Sequence, residues 1–312
     1  MPGWKIQRSF YDPSRDHGAW SPTTAVANFC EEDYQFYYVG EFVNTISNLA
    51  YIYFALYPTS SALNRMFSQQ SSTRNHLSTR RDGSVIWDFH TISLLLVGMT
   101  SGLFHATLHA LPQWLDETSM YLLAGSFAWS VLTTKYITVP SSNKDKPHRA
   151  QRIAHHDRRL VALGLILLLS ITSLISMHTG NLAVHSWTFA ILIVSSGIKL
   201  IYLIFKFQPA PPLSGKTSFL GFPVTIAQRK MLLSLVKADM LLNLAFALWL
   251  VDCNPTFCGY LRYLRNEVLG ASGVMRLVGF VTELHGWWHF LTAAAAGEYI
   301  GLLRSLTTQV EA

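Results

Sequence analysis

The strongest constraint on the fold is a series of long apolar runs that recurs along most of the chain. One of them, LVALGLILLLSITSLISM at residues 160–177, contains no charged side chain. A transmembrane helix needs roughly 20 mainly apolar residues, because the hydrocarbon core of a bilayer is about 30 Å thick. Windows of this length predict seven spans, at about 38–60, 86–109, 114–138, 160–177, 184–206, 231–252 and 275–302. The sequence therefore predicts an all-α, polytopic membrane protein, a bundle of seven transmembrane helices.

The composition agrees with a membrane location. Only 13% of the 312 residues are charged, against about 25% in soluble domains. The formal net charge is +6, but the lysines and arginines lie in the connections between apolar runs. No basic stripe is interleaved with aromatic residues, so nucleic-acid binding is excluded. The N-terminus has no apolar core of the length of a cleavable signal peptide, so we expect the first span to direct insertion.

The connections alternate in basic charge, and this alternation predicts the orientation. The loops after spans one, three and five are rich in lysine and arginine, whereas HALPQ and HTGN have neither; the loop with Arg262 and Arg265 is the exception. Lysine and arginine stay on the cytosolic side, so we expect a luminal N-terminus and a cytosolic C-terminus. The chain then divides into a luminal segment (1–37), a transmembrane domain (38–302) and a cytosolic tail (303–312).

The three cysteines, Cys30, Cys253 and Cys258, all fall on the luminal side of this topology. Disulfides persist in that compartment. We therefore expect a bridge from Cys30 to Cys253 or to Cys258, with the third thiol left free. The residues alone do not choose between the two pairings, and three unrelated small residues are the alternative.

The motif HGWWH places His285 and His289 four residues apart inside the last predicted span. This spacing puts both imidazoles on one helix face and suits a shared zinc ion; hydrogen bonds to a neighbouring helix are the alternative. The second span offers His105 and His109 as a third ligand, and His105 lies deeper in the predicted membrane. Three histidines with an open fourth position are typical of catalytic zinc, which acidifies its bound water.

Two further polar residues accompany these histidines. Ser101 lies one helical turn before His105, and Asp116 follows a short turn after the same span. We expect Asp116 to accept a proton from a water and Ser101 to donate a hydrogen bond to an oxyanion. The alternative for Asp116 is a charge near a helix N-terminus, where the helix dipole favours it.

An acidic cluster precedes and enters the first span, in the stretch NFCEEDYQFYYVGE. Its oxygen-bearing side chains are Asn28, Glu31, Glu32, Asp33 and Glu41. Hard cations such as calcium take six to eight oxygen ligands from groups of this kind. The spacing is not that of an EF-hand loop, so a solvated acidic turn is the alternative interpretation.

Five blocks of sequence together resemble the alkaline ceramidase family: WSPTT, NFCEEDY, EFVNTISN, SGLFHATL with the following LDE, and LHGWWHFLT. They run in order from about Gly18 to about Tyr299, and the long connections are most similar to those of the fungal dihydroceramidases and phytoceramidases. The resemblance implies an intramembrane zinc amidase that cleaves ceramide, a lipid substrate in the bilayer, into a sphingoid base and a fatty acid. It also implies the endoplasmic reticulum membrane, or the Golgi membrane.

The resemblance also assigns residues in this sequence. The zinc ligands fall on His105, His285 and His289, and the active-site serine and aspartate fall on Ser101 and Asp116. A calcium site falls on Asn28, Phe29 (through its carbonyl), Glu31, Asp33 and Glu41. The luminal disulfide falls on Cys30 and Cys258, and we expect the aromatic wall with Trp288 to hold the sphingoid chain. Asn28 stands where the family has aspartate and Asp33 where it has asparagine, so the charge of the set is unchanged.

The alternative function is that of a seven-helix, receptor-like membrane protein in which zinc is structural. The feature against it is the open set of three histidines with a serine and an aspartate available nearby. Release of a sphingoid base from ceramide would separate the two functions.

Overall fold

The computed structural model describes residues 18–34, 36–57, 87–134, 147–207, 213–265 and 281–308, with side chains described from residue 157 in the fourth range. Within these ranges the chain is mainly helical, with one small sheet. The helices are α1 (Phe42–Ser47), α2 (Leu49–Leu56), α3 (Phe89–Thr107), α4 (Ala110–Thr133), α5 (Pro147–Thr179), α6 (Leu182–Lys206), α7 (Ile226–Asp252), α8 (Pro255–Tyr263) and α9 (Leu284–Thr308). The sheet is an antiparallel hairpin of β1 (Lys216–Phe219) and β2 (Phe222–Thr225).

Helical segments coincide with all seven predicted spans, and the all-α membrane fold is confirmed. Within the described ranges, four helices are long and apolar enough to cross a membrane by length and composition: α3, α5 from Asp157, α6 and α7. α1 and α2 together form a shorter apolar segment, Phe42–Leu56. α4 and α9 are as long as a span, but α4 carries two acidic residues and α9 carries two histidines and a glutamate, which lower their hydropathy.

The helix boundaries differ from the predicted spans in several places. The first span is divided at Asn48, and α5 begins at Pro147, well before the predicted start near residue 160. α9 continues to Thr308, whereas the prediction ended near residue 302. The predicted start of that span, near residue 275, lies outside the described residues.

The hairpin and helix α8 were absent from the prediction. The hairpin turn consists of Leu220 and Gly221, with φ of 49° and 84°. Positive φ at both positions is typical of a type I′ turn, which Asn-Gly or Asp-Gly usually signals. Leucine at the first position gives no such signal, so the pattern of residues did not reveal the hairpin.

The bundle has two ends, which we name by the segments they carry. The N-terminal face carries the segment 18–41, whose Gly40 N–H donates to the Ala106 carbonyl at 2.8 Å. The hairpin face carries β1 and β2, and there Gln228 Nε2 donates to the Ile204 carbonyl at 3.1 Å. Successive long helices run between these faces in alternating directions.

The apolar core lies in the half of the bundle near the hairpin face. Leu94, Leu200, Ile204, Met231 and Ile300, from α3, α6, α7 and α9, are almost fully buried in one cluster. Many large apolar side chains on the outside of α5 and α6 remain exposed. Such extended apolar surface marks a membrane contact in a protein of this kind.

A disulfide and several hydrogen bonds at Cys30 attach the segment before α1 to the N-terminal face. Cys30 and Cys258 form a disulfide with a Cα–Cα distance of 5.3 Å, the pairing that the family resemblance implied, and Cys253 is a free thiol. The Cys30 carbonyl accepts hydrogen bonds from Arg262 Nε at 2.9 Å and from an Arg265 nitrogen at 3.1 Å. The two arginines that broke the charge alternation therefore have a structural role at this face.

Candidate active site

Three buried histidines converge close to the N-terminal face. His105 lies in the last turn of α3, His285 in the first turn of α9 and His289 in the next turn. Their ligand atoms lie within 4.8 Å of one another, so the group could hold a metal ion. Among the described residues it is the one group of three or more histidine, cysteine or carboxylate side chains with this spacing.

Two of the three imidazoles are oriented by residues in or just before α1. His105 Nδ1 lies 2.6 Å from Glu41 Oε2, and both side chains are almost fully buried. His289 Nδ1 lies 2.7 Å from Ser47 Oγ. These contacts leave Nε2 of each ring available to a metal, and partners of this kind normally orient metal-binding histidines.

The third imidazole is held mainly by packing. The Phe29 ring stacks on His285 with centroids 3.5 Å apart and planes 18° apart, and His285 Nδ1 has no hydrogen-bond partner. Asp252, at the end of α7, accepts the Cys30 backbone N–H at 3.0 Å. Phe29, which precedes Cys30, is the residue through which the segment around Cys30 contacts the group of three histidines.

The turn between α3 and α4 brings Ser101 and Asp116 together. Leu108 ends α3 in the left-handed conformation, with φ of 54°, and its carbonyl accepts the backbone N–H groups of Thr24 and Ala25. α4 then returns antiparallel, and the Ser101 hydroxyl interacts with the Asp116 carboxyl group. Asp116 Oδ1 is buried without a hydrogen-bond partner, so one carboxyl oxygen remains to accept a proton.

A cavity of about 540 Å³ begins beside these residues. Its polar end is lined by Ser101, Asp116, His285 and His289, with Trp288 alongside, and it continues between apolar residues of α6 and α7. His105 is not part of the lining and contacts the other histidines from behind. The volume and the apolar wall are those of a small-molecule or lipid-chain site.

The structure brings only part of the predicted calcium set together. Glu31 and Glu41 are both almost fully buried, and the Glu31 carboxylate accepts the backbone N–H groups of Val43 at 2.6 Å and Asn44 at 2.8 Å. Burial and the nearby Glu41 carboxyl raise the pKa of Glu31 to about 8. Asp33 does not join them in a three-carboxylate group of metal-ligand spacing within the described ranges. Asn28 and the Phe29 backbone lie in the same segment.

Several polar residues of the interior were not predicted as functional. His109, the rejected ligand candidate, donates from Nε2 to the Trp20 carbonyl at 2.6 Å. Glu298 in α9 pairs with Lys237 at 2.6 Å, and an acidic residue inside an apolar span would have been a signal for it. His185 of α6 lines the cavity, although its sequence surroundings show no recognisable spacing.

Comparison with known proteins identifies the family. The ceramidase family model matches residues 21–312. The chain is 27% identical over 307 residues to alkaline ceramidase YPC1 of Saccharomyces cerevisiae, covering 96% of this chain and 82% of that protein. It is 28% identical over 294 residues to alkaline ceramidase 3 of Mus musculus, covering 94% and 86%. The chain therefore belongs to the ceramidase family, the hydrolases that cleave the amide bond of ceramide.

Proposed function

We propose that the chain hydrolyses ceramide inside the bilayer with a zinc ion held by His105, His285 and His289. The observation that carries this proposal is the convergence of the three buried histidines at the polar end of an apolar cavity. Three neutral imidazoles with room for a fourth ligand suit catalytic zinc. When bound, zinc lowers the pKa of a water and polarises a carbonyl.

Asp116 and Ser101 supply the proton transfer and the hydrogen bonding in this proposal. Asp116 Oδ1 accepts the proton of the attacking water and later delivers it to the nitrogen of the leaving amine. The Ser101 hydroxyl donates to the oxygen of the tetrahedral intermediate. Trp288 packs against the sphingoid chain, and the apolar residues of α6 and α7 keep bulk water away from the chains.

Ceramide suits this cavity because the substrate never needs to leave the membrane. Its two hydrocarbon chains match the apolar wall, and its amide matches the polar end. The relatives from Saccharomyces cerevisiae and Mus musculus are both named alkaline ceramidases, which supports the same class of substrate.

We also propose a structural calcium ion bound by Asn28, the Phe29 carbonyl, Glu31, Asp33 and Glu41. Its support is electrostatic: Glu41 Oε1 is buried without a hydrogen-bond partner, and the pKa of Glu31 is raised to about 8. A cation between these carboxylates would relieve their repulsion. Because Glu41 also contacts His105, calcium would help to hold the histidine in place.

The orientation that we propose places the N-terminal face in the lumen of the endoplasmic reticulum, or of the Golgi. The luminal segment then ends at residue 37 and the cytosolic tail begins at residue 303. The disulfide at this face and the loop charges support this orientation. Glycosylation sites introduced into the loops on each face would test it, since only luminal loops are modified.

The decisive experiment measures zinc content and ceramide hydrolysis in detergent-purified wild type, His289→Ala and His109→Ala. We expect His289→Ala to lose both zinc and activity, while His109→Ala keeps both, because His109 lies outside the metal-binding group. Retained turnover in His289→Ala would contradict the zinc assignment. Zinc in a wild type that releases no sphingoid base would favour the receptor-like alternative.

A further inference from the structure

His185 is a buried histidine in the cavity wall that the proposed mechanism does not use. Its side chain is 8% exposed and lines the same cavity as Ser101 and Asp116. Its ring contacts the Tyr121 ring at a centroid distance of 4.7 Å and the Phe189 ring at 6.3 Å. Nδ1 has no hydrogen-bond partner, and a buried polar atom left in this state costs about 1–3 kcal/mol.

The other polar side chains of this part of the wall already have partners. Gln113 Oε1 accepts a backbone N–H at 2.7 Å, and its Nε2 donates to Glu117 Oε1 at 2.7 Å. Glu117 Oε2 accepts the Ser176 hydroxyl at 3.0 Å. The Ser186 hydroxyl donates to a backbone carbonyl at 3.0 Å. The His185 imidazole, with one donor and one acceptor, can therefore still bind a polar ligand, unlike these neighbours.

The depth of His185 can be compared with that of Asp116. The His185 ring contacts the Tyr121 ring. Tyr121 follows Asp116 by five residues of α4, which is about 7.5 Å of helical rise towards the hairpin face. His185 therefore lies deeper than Asp116.

We propose that His185 binds the C4 hydroxyl of the sphingoid base and so selects ceramides that carry this group. The proposal rests on the proposed function, because it assumes a ceramide with its amide beside Asp116 and its chains directed towards the hairpin face. In that orientation the C3 hydroxyl lies next to the amide, and the C4 substituent lies one carbon deeper. Phytoceramide has the C4 hydroxyl and dihydroceramide lacks it, so His185 is a specificity-determining residue between these two substrates.

The test compares hydrolysis of phytoceramide and dihydroceramide with the same acyl chain by wild type and His185→Phe. Phenylalanine keeps the ring contacts with Tyr121 and Phe189 but cannot form a hydrogen bond. We expect wild type to prefer phytoceramide in kcat/KM by roughly ten-fold, the effect of one buried hydrogen bond. His185→Phe should bring the ratio close to one, mainly by slowing phytoceramide hydrolysis.

Two further variants separate recognition from folding. His185→Gln keeps a donor and an acceptor and should restore part of the preference, which a merely structural role would not predict. Ser186→Ala, a neighbour in the wall whose hydroxyl bonds to backbone, should leave the ratio unchanged. Retained zinc content shows that each variant is folded.

The outcomes distinguish this proposal from the proposed function. Equal kcat/KM of wild type for the two ceramides, or an unchanged preference in His185→Phe, would overturn the role of His185 while leaving ceramide hydrolysis intact. Hydrolysis of neither substrate by wild type would overturn the proposed function, and the role of His185 with it.

Discussion

The two ends of α3 and α9 differ sharply in what they bury. Towards the hairpin face these helices contribute Leu94, Val97, Ile300 and Leu303 to the hydrophobic core cluster. Towards the N-terminal face the same helices bury imidazole, hydroxyl and carboxyl groups, which meet partners from the segment before α1 and from α1 itself. One pair of helices therefore provides both a core and a site.

The difference shows that the two halves depend on different interactions. The apolar half depends on shape and volume, and the surrounding helices can adjust to moderate changes. In the polar half each buried group needs a specific partner at hydrogen-bonding distance, because an unpaired polar atom is costly in the membrane interior. Substitutions in the polar half should therefore change metal affinity, and substitutions in the apolar half should change stability alone.

The largest effect is expected from Glu41→Gln, which removes the charge beside His105 and keeps the shape of the side chain. Loss of such a partner typically costs 10–100-fold in metal affinity, and a chelator competition assay on the purified protein would measure it. The assay is run with calcium chelated, so that a calcium effect does not contribute. Glu298→Gln removes another buried acid far from the histidines and should leave zinc affinity unchanged; an equal loss in both variants would refute the comparison.

Leu200→Ala tests the apolar half. Leu200 is almost fully buried in the core cluster, and truncation leaves a cavity. We expect a loss of about 2 kcal/mol in the free energy of unfolding, the low end for buried leucine, because lipid is as apolar as the core and the transfer contribution is small. Thermal denaturation in detergent measures it, with lipid-exposed Leu163→Ala as control. A change in zinc affinity of the folded variant would show that the halves are coupled.

The smallest effect is expected from Ser47→Ala. The hydrogen bond between Ser47 and His289 is lost, and Asn48 Nδ2, 3.4 Å from the same ring nitrogen, does not replace it because an amide nitrogen only donates. A neutral hydrogen bond contributes about 1 kcal/mol, so we expect roughly a five-fold loss of zinc affinity in the same chelator assay. A loss as large as that of Glu41→Gln would mean that a hydroxyl orients the ligand as strongly as a carboxylate.

Local patterns predicted much of this architecture, and long-range contacts account for the rest. Apolar length is a property of each segment, so the spans could be read directly, and the spacing of His285 and His289 placed them on one face. The contact of Glu41 with His105 crosses 64 residues of sequence, and no local pattern reveals it. The place of His185 in the cavity wall depends on packing between α4 and α6, which spacing along one helix does not determine.

The position of the histidines near the ends of their helices determines where in the membrane the proposed reaction occurs. His105 is the third residue from the end of α3 and His289 the sixth of α9, within about 9 Å of the N-terminal face. Cleavage at that depth would take place within the leaflet on the side of the N-terminal face. One two-chain lipid of that leaflet is replaced by two single-chain lipids, and the opposite leaflet changes only when a product crosses the bilayer.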